Sequence, residues 1–399
     1  MRNIVALATT LLAWQNPERP AVDAAWLKAC SFRHPLCVHA KPATPANTVL
    51  TVLDETERAW DGATGPLALP PPDPSPTTGV YDVYLVDGAS HDASTVLDER
   101  DPIARFDRAS AFTTLDAHLT GCGRTHAIAR GLLRAITFRV SPNLDTGSAE
   151  AQTESLAHAL SPCIVPETTA RATFQAHPER ALPDTWPEFA PTAGMTYARG
   201  ASLFYDWMDD SFGQQPGSIV RAIWALTPGK TDTFEILRSS FKNALSSGST
   251  LDDLLLGFGV ARVLPSAGVA PRTDWQIDWP AKPRRLAPRD PTAPTGSAYV
   301  VVRHAGAPPG ARLRVEAIWE EHAKMRWNVV KLDASGREIA RIPVASAERA
   351  TATQGSIVDL DATDTLVVVG TNAGDFTPPF DPDDAVWEPH GWRLTLAAE

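Results

Sequence analysis

The residues Cys122-Gly123-Arg124-Thr125-His126-Ala127-Ile128 lie in the stretch that decides the fold of this 399-residue chain. From Leu119 to Val140 apolar residues recur at helical spacing, so a helix is predicted there. A polar loop rich in helix-breaking residues follows. A second helix is predicted over Ser148–Leu160, with Ser148 as its cap. This part of the chain is therefore predicted to be a pair of helices joined by a short loop.

The overall composition is that of a globular protein, with 43% hydrophobic and 21% charged residues. Its length allows two or three domains with sizeable cores. The net charge of −11, without any run of Lys and Arg, argues against nonspecific nucleic-acid binding and against an anionic membrane surface. No segment reaches the length of a transmembrane helix.

The N-terminus has the pattern of a secretory signal. Met1-Arg2-Asn3 carries one positive charge, and the apolar run Ile4–Trp14 follows it. We predict a signal peptide over residues 1–24, with cleavage after Ala13 or near Ala24, and a secreted or periplasmic (cell-envelope) location. The alternative is a buried N-terminal strand or helix.

The four cysteines favour two disulfides, because an even count behind an export signal is typical of an oxidising compartment. Cys30 and Cys37 could close a small loop. Cys122 opens the first helix and Cys163 follows the second, and an antiparallel pair brings these ends together. The pairing 30–37 and 122–163 is one of three connectivities, and free thiols are the alternative.

The chain around the helix pair divides into blocks of different pattern, and we predict an α+β protein. Residues 25–118 form an α/β block, with strands at Leu36–Ala40, Val80–Val86 and Ala104–Phe112 and a helix over Asn47–Trp60. Residues 119–270 are predicted to be helical, including one continuous helix over Ala193–Phe212 that ends at Gly213. A Pro-rich linker, 271–296, precedes seven short alternating runs in 297–399, which indicate a C-terminal β-sandwich.

Three segments, in this order, carry a resemblance to a known family. They are Cys122-Gly123-Arg124-Thr125-His126, Glu154-Ser155-Leu156-Ala157 and Tyr197-Ala198-Arg199-Gly200-Ala201-Ser202-Leu203-Phe204. The chain resembles the gluzincin-like secreted metallopeptidases, in which an H-E-x-x-H helix, an E-G-x-A helix and a Y-x-x-G-A-x-x-F helix follow an α/β block. The resemblance implies that His126 matches the second histidine, Glu154 the third metal ligand and Tyr197 a position in the remnant cleft.

The departures from this pattern concern the chemistry. Cys122 stands in place of the first histidine, and Gly123 in place of the glutamate that takes a proton from the metal-bound water. General-base catalysis supplies roughly 10²–10⁴-fold, and glycine cannot act as a base. The resemblance therefore implies a peptidase-like protein that is catalytically inactive, needs no cofactor and acts by binding a protein or a polysaccharide.

Two alternatives remain open. Cys122, His126 and Glu154 could hold zinc in an active peptidase, since all three are metal-ligating residue types, but a disulfide at Cys122 would exclude this. In a strictly antiparallel pair closed by that disulfide, Glu154 lies about 13 Å along its helix and His126 about 6 Å along the other. The second alternative is a structural envelope component, in which these residues and the nearby His158 have ordinary packing roles.

Overall fold

A computed structural model describes residues 19–88, 93–100, 108–161, 167–185, 191–227, 233–244, 250–265, 268–304, 306–308, 310–344, 354–359, 365–374 and 388–399. The predicted signal peptide lies outside these residues except for 19–24, and Cys163 lies outside them as well. Arg19 belongs to the folded block, since its guanidinium pairs with Asp98 at 2.7 Å and with Asp82 at 2.5 Å. The α+β class is confirmed by the helices and the sheets that follow.

The N-terminal block is a five-stranded mixed sheet with the order β1-β2-β3-β5-β4. Its central strands are parallel, and the outer strands β1 and β4 are antiparallel to their neighbours. The strands are β1 (Leu27–Cys30), β2 (Leu36–Ala40), β3 (Tyr81–Val86), β4 (Ala93–Arg100) and β5 (Ala109–Asp116). Helix α1 (Ala46–Thr64) makes the crossover from β2 to β3, as parallel neighbours require. Strands β1 and β4 were not predicted from the sequence, and the strand expected over Ala104–Phe112 lies later, at β5.

Cys30 and Cys37 face each other across the β1–β2 hairpin and are joined by a disulfide. The predicted pairing of these two cysteines is therefore confirmed. The Cα atoms of bonded cysteines usually lie about 4.4–6.8 Å apart, and the 4.1 Å between these cross-strand neighbours is just below that range.

The middle of the chain is helical, as predicted, but with different helix ends. The helices are α2 (Gly121–Val140), α3 (Thr146–Leu160), α4 (Glu167–Ala176), α5 (Pro191–Gly200), α6 (Ser202–Phe212), α7 (Ser218–Leu226), α8 (Thr233–Ala244) and α9 (Leu251–Ala261). The prediction of Ser148 as a cap was wrong: Asp145 caps α3 by accepting the Ser148 backbone N–H at 2.7 Å. The single helix expected up to Gly213 is broken at Ala201 into α5 and α6.

Helix α2 lies against the first sheet because a glycine permits the close approach. A Cβ atom at Gly131 would come within 2.8 Å of the Thr113 side chain on β5. The Gly131 carbonyl also accepts a hydrogen bond from the Thr95 hydroxyl on β4 at 3.1 Å. This contact fixes α2 on the sheet and leaves its other side for α3.

The C-terminal block consists of two stacked sheets whose strands are mostly antiparallel. The strand orders are β11-β10-β13-β8-β6 and β12-β9-β14-β7. All seven strands predicted there are present, and they are β8 (Ser297–Arg303), β9 (Arg312–Trp319), β10 (Met325–Leu332), β11 (Glu338–Val344), β12 (Gln354–Asp359), β13 (Thr365–Asn372) and β14 (Trp392–Ala398). The segment 271–296, predicted as a linker, instead supplies two edge strands, β6 (Trp275–Asp278) and β7 (Arg284–Leu286). Proline is compatible with sheet edges.

The helical block packs directly on the sandwich. The Tyr299 hydroxyl on β8 donates to the Gly259 carbonyl of α9 at 2.9 Å. Arg262, just after α9, is 1% exposed and donates to Gln175 at 2.7 Å and to the Phe174 carbonyl at 3.1 Å. Within the described ranges, no helix combines the length and the apolar character that crossing a bilayer requires.

Candidate functional site

The helix pair brings two of the predicted site residues together. His126 on α2 and Glu154 on α3 are joined by a hydrogen bond of 2.8 Å between His Nε2 and Glu Oε1. Both side chains are buried, with exposed fractions of 6% and 5%. The two helices therefore bring together residues that a strictly antiparallel pair closed by a Cys122–Cys163 disulfide would hold apart along the helix axes.

A third side chain, His158, joins them from the next turn of α3. Its Nε2 atom lies 3.5 Å from Glu154 Oε1, and its ring stacks on that of His126 with centroids 5.7 Å apart. One potential ligand atom from each of the three residues lies within 4.8 Å of the others. We call these residues the His–Glu–His cluster. The sequence contained a signal for His158, since residues at i and i+4 share one face of a helix.

Asp206 on α6 supports the outer side of the cluster. Its carboxylate accepts a hydrogen bond from the Ser155 hydroxyl at 2.6 Å, lies 3.2 Å from His158 Nδ1 and pairs with Arg171 at 2.9 Å. A carboxylate on one ring nitrogen orients the histidine and directs the other nitrogen. Here the second nitrogen, Nε2, is directed to Glu154.

Arginines surround the inner side of the cluster. Arg130 Nε lies 3.9 Å from Glu154 Oε2, and Glu150 lies between Arg130, Arg134 and Arg199 at 3.4–3.8 Å. Three guanidinium charges thus face two carboxylates, an excess of one positive charge.

Glu154 is strongly held in its ionised form. Burial by itself raises the pKa of this carboxyl, but the hydrogen bond to His126 and the charges of His126, Arg130 and His158 outweigh it. The net effect lowers the pKa of Glu154 to about 2. The carboxylate is therefore an anion bound to internal cations across the physiological range, and it is a poor proton acceptor.

The start of α2 carries the segment in which the family resemblance would place the H-E-x-x-H motif. Cys122 is disulfide-bonded, so its sulfur cannot act as a thiolate ligand, and this bond excludes the alternative of a Cys122–His126–Glu154 zinc site. Its predicted partner, Cys163, lies outside the described residues. A Cβ at Gly123 would meet nothing within 4 Å, so no described side chain occupies the place of the missing base. Arg124 is tied to Glu55 by two hydrogen bonds of 2.8 and 2.9 Å.

Tyr197, the third predicted site residue, lies in the core. It is fully buried, donates to the Ala181 carbonyl at 3.0 Å and packs against Phe174 at 5.2 Å between ring centroids. Burial raises the pKa of this phenol well above its ordinary value. The hydroxyl stays protonated at physiological pH, and these contacts give Tyr197 a structural role.

A cavity of about 780 Å³ opens beside the cluster. We call it the side cavity; its walls come from the end of α3, from α4, and from α6 and the turn after it. They are formed by Ser155, His158, Ala159, Ser161, Arg171, Asp206, Asp209, Asp210, Gly213, Gln214, Gln215, Pro216 and Gly217. The Ser161 hydroxyl oxygen is buried at this wall and has no hydrogen-bond partner among the described residues. Ligand-binding pockets commonly have volumes of about 300–1,000 Å³.

The donor set of the His–Glu–His cluster partly fits a zinc ion. Bonds of about 2.0–2.2 Å in tetrahedral geometry place ligand atoms roughly 3.4 Å apart, and the 3.5 Å between His158 and Glu154 meets this. The 2.8 Å between His126 and Glu154 is too short and would have to lengthen. The positive charge of Arg130, 3.9 Å from Glu154 Oε2, opposes a divalent cation at this carboxylate.

Comparisons with known proteins add no family. No protein-family model matches the chain, and no curated protein matches it. One similar solved structure is the K1 cleaved adhesin domain of Lys-gingipain from Porphyromonas gingivalis W83, at 13% identity and a TM-score of 0.18. The match covers 26% of this chain and spans 63% of that domain. A likeness this small supports no statement about function.

Proposed function

We propose that this chain is an extracytoplasmic, peptidase-like protein that binds polypeptide ligands without hydrolysing them. The proposal rests on the residues that stand at the positions of the family's catalytic site, Cys122, Gly123, His126 and Glu154, which we call the remnant site. Gly123 supplies no base, the Cys122 sulfur is bonded in a disulfide, and Glu154 is hydrogen-bonded to His126 and lies 3.9 Å from Arg130. Each of these features removes a different requirement of metal-assisted hydrolysis.

Binding capacity is supported by the side cavity. It adjoins the cluster through His158 and Asp206, so a ligand could occupy the neighbourhood of the remnant site without meeting an activated water. The cavity wall carries carboxylates, a guanidinium and the buried hydroxyl of Ser161, which can orient a polar chain. The volume of the side cavity, together with these fixed polar groups, suits a peptide segment.

The extracytoplasmic location is supported by the disulfide chemistry. Cys30 and Cys37 are bonded and Cys122 is bonded as well, whereas disulfides are rare in reducing compartments. The signal-like N-terminal run, read from the sequence, agrees with this location.

Hydrolysis is tested by incubating the full chain with a complex peptide library, with added Zn²⁺ and separately with a chelator, and identifying products by mass spectrometry. We expect the same peptides in both samples and in a protein-free control. Cleavage that appears with Zn²⁺ and disappears with the chelator would reject the proposal.

A second candidate function is metal binding at the His–Glu–His cluster. The spacing of its three donor atoms and the support of His158 by Asp206 favour this candidate, whereas the surrounding arginines oppose it. Elemental analysis of the zinc content of the purified protein tests this candidate, with His158→Gln as the matched variant. Stoichiometric zinc that is lost in H158Q would support a metal centre, and absence of metal after dialysis against Zn²⁺ would exclude it.

A further inference from the structure

A second concave site lies at the far end of α2. Its volume is about 350 Å³, and we call it the arginine-rimmed pocket. It is lined by Ala68, Leu69, Pro70, Arg108, Arg139, Val140, Arg221, Trp224 and Ala225. Arg139 follows His126 by thirteen residues on the same helix, which corresponds to about 20 Å at 1.5 Å per residue. The pocket is therefore separate from the His–Glu–His cluster, and its function does not depend on the one proposed above.

The rim of this pocket carries more positive than negative charge. Arg108 and Arg139 share one carboxylate, Asp73, at 3.2 and 3.4 Å. Arg221 has no ion-pair partner within the described parts of the chain and is half-buried. Among the described residues, the guanidinium charge of Arg221 is therefore not balanced by a carboxylate, in a protein whose net charge is −11. Such a local reversal of sign favours an anionic ligand.

The floor of the pocket is apolar. It is formed by Leu69, Pro70, Val140 and the ring of Trp224. The indole N–H of Trp224 is turned inward, donating to Gln152 at 2.7 Å, so the polar edge of the ring is already satisfied within the core. The pocket consequently offers a hydrocarbon surface at its floor and guanidinium groups at its rim.

The backbone at the edge of the pocket is strained. Ala68 has a φ of 51°, in the left-handed region that residues with a side chain seldom adopt. Strain of this kind is found disproportionately at ligand-binding sites, where the surrounding structure maintains it. Here it fixes the turn that precedes Leu69 and Pro70.

We propose that the arginine-rimmed pocket binds the carboxylate of an apolar amino acid, with the carboxylate on Arg221 and Arg139 and the side chain on the floor. Guanidinium groups recognise carboxylates through paired, charge-assisted hydrogen bonds. The volume suits one side chain of the size of leucine together with its carboxylate. This ligand can be a free or N-acylated amino acid, or the C-terminal residue of a peptide.

Isothermal titration calorimetry on the full chain tests the proposal with four probes. N-acetyl-L-leucine carries both recognised features, N-acetyl-L-leucinamide lacks the charge, and N-acetylglycine lacks the side chain. The peptide Ala-Ala-Leu presents the same residue at a chain end. Because a hydrogen bond to a charged group is lost in the amide, we expect it to bind at least about ten-fold more weakly than the acid.

Two variants locate the binding. Arg221→Met keeps the length and apolar stem of the side chain, and we expect it to weaken N-acetyl-L-leucine binding by about ten-fold or more. Arg285→Met removes an exposed arginine of β7 that does not line the pocket, and should leave the affinity unchanged. Equal melting temperatures of the two variants would show that Arg221→Met folds normally.

The outcomes separate clearly. Binding of Ala-Ala-Leu as well as the acylated amino acid would identify a peptide C-terminus as ligand, and binding of the amino acid alone would identify a small metabolite; both support the proposal. Equal binding of acid and amide, an unchanged affinity in Arg221→Met, or no binding of the acid at millimolar concentration would overturn it. Hydrolysis at the remnant site plays no part in these readouts.

Discussion

The buried carboxylate of Glu154 should make a large and pH-dependent contribution to stability. Burial raises its pKa, but the partners His126 and Arg130 outweigh this effect and lower the pKa from 4.5 to about 2. A group whose pKa is lowered by folding stabilises the folded state above its unfolded pKa, and this stabilisation is lost as the pH falls through the folded pKa. One unit corresponds to about 1.4 kcal/mol, so the contribution is about 3 kcal/mol at neutral pH.

The perturbation that measures this term is Glu154→Gln, which keeps an acceptor for His126 but removes the charge. We expect the free energy of unfolding of the variant to lie about 3 kcal/mol below that of the wild type at pH 7. The difference should shrink to about 2 kcal/mol at pH 3.5 and to less than about 1 kcal/mol at pH 2.5. Urea denaturation followed by circular dichroism, with both proteins at each pH, gives these values.

An exposed glutamate supplies the control. Glu321→Gln lies in a turn of the sandwich and should leave the free energy of unfolding unchanged at every pH. A Glu154→Gln variant as stable as the wild type at pH 7, or a difference that grows as the pH falls, would refute the ion-pair interpretation of the cluster.

Three further results are expected. Gly123→Glu should fold with an unchanged melting temperature, because a Cβ there meets nothing within 4 Å, and should show no hydrolysis, because Cys122 remains bonded; a peptidase gained by this single change would contradict us. Replacing Cys30 and Cys37 together by alanine should lower the free energy of unfolding by about 2 kcal/mol, the loop-closure value for a short loop, and an unchanged urea midpoint would count against this. Any leader should be cleaved before Arg19, since this residue forms ion pairs in the folded block. Intact-mass analysis of the exported protein checks this, and a new N-terminus after Arg19 would disprove the place of Arg19 in the fold.

The sequence predicted the elements whose periodicity is strong. The helix pair, the parallel strands and all seven runs of the sandwich are present, because each carries a buried face at the period of its own secondary structure. Among the strands that were missed, β6 and β7 are only four and three residues long and stand among prolines at sheet edges, where no alternation can be recognised. The break at Ala201 was also missed, since the apolar spacing continues through it.

The candidate site was predicted in part. His126 and Glu154 were singled out through the family resemblance, but their contact could not be predicted, because the relative tilt and register of two helices depend on packing that the sequence does not reveal. His158 was interpreted as an ordinary helical residue, although its spacing from Glu154 places both on one face. The arginines near Glu154 and its neighbour Glu150 come from α2 and α5, and only the folded chain brings them together.

Recovery of bound peptides tests binding without hydrolysis most directly. The immobilised full chain is incubated with a defined peptide library and Zn²⁺, washed and eluted, and both ends of every retained peptide are read by mass spectrometry. We predict that a subset of peptides is retained and recovered at full length. Retained peptides that have been shortened at either end, or a library that passes through without any retention, would contradict this account.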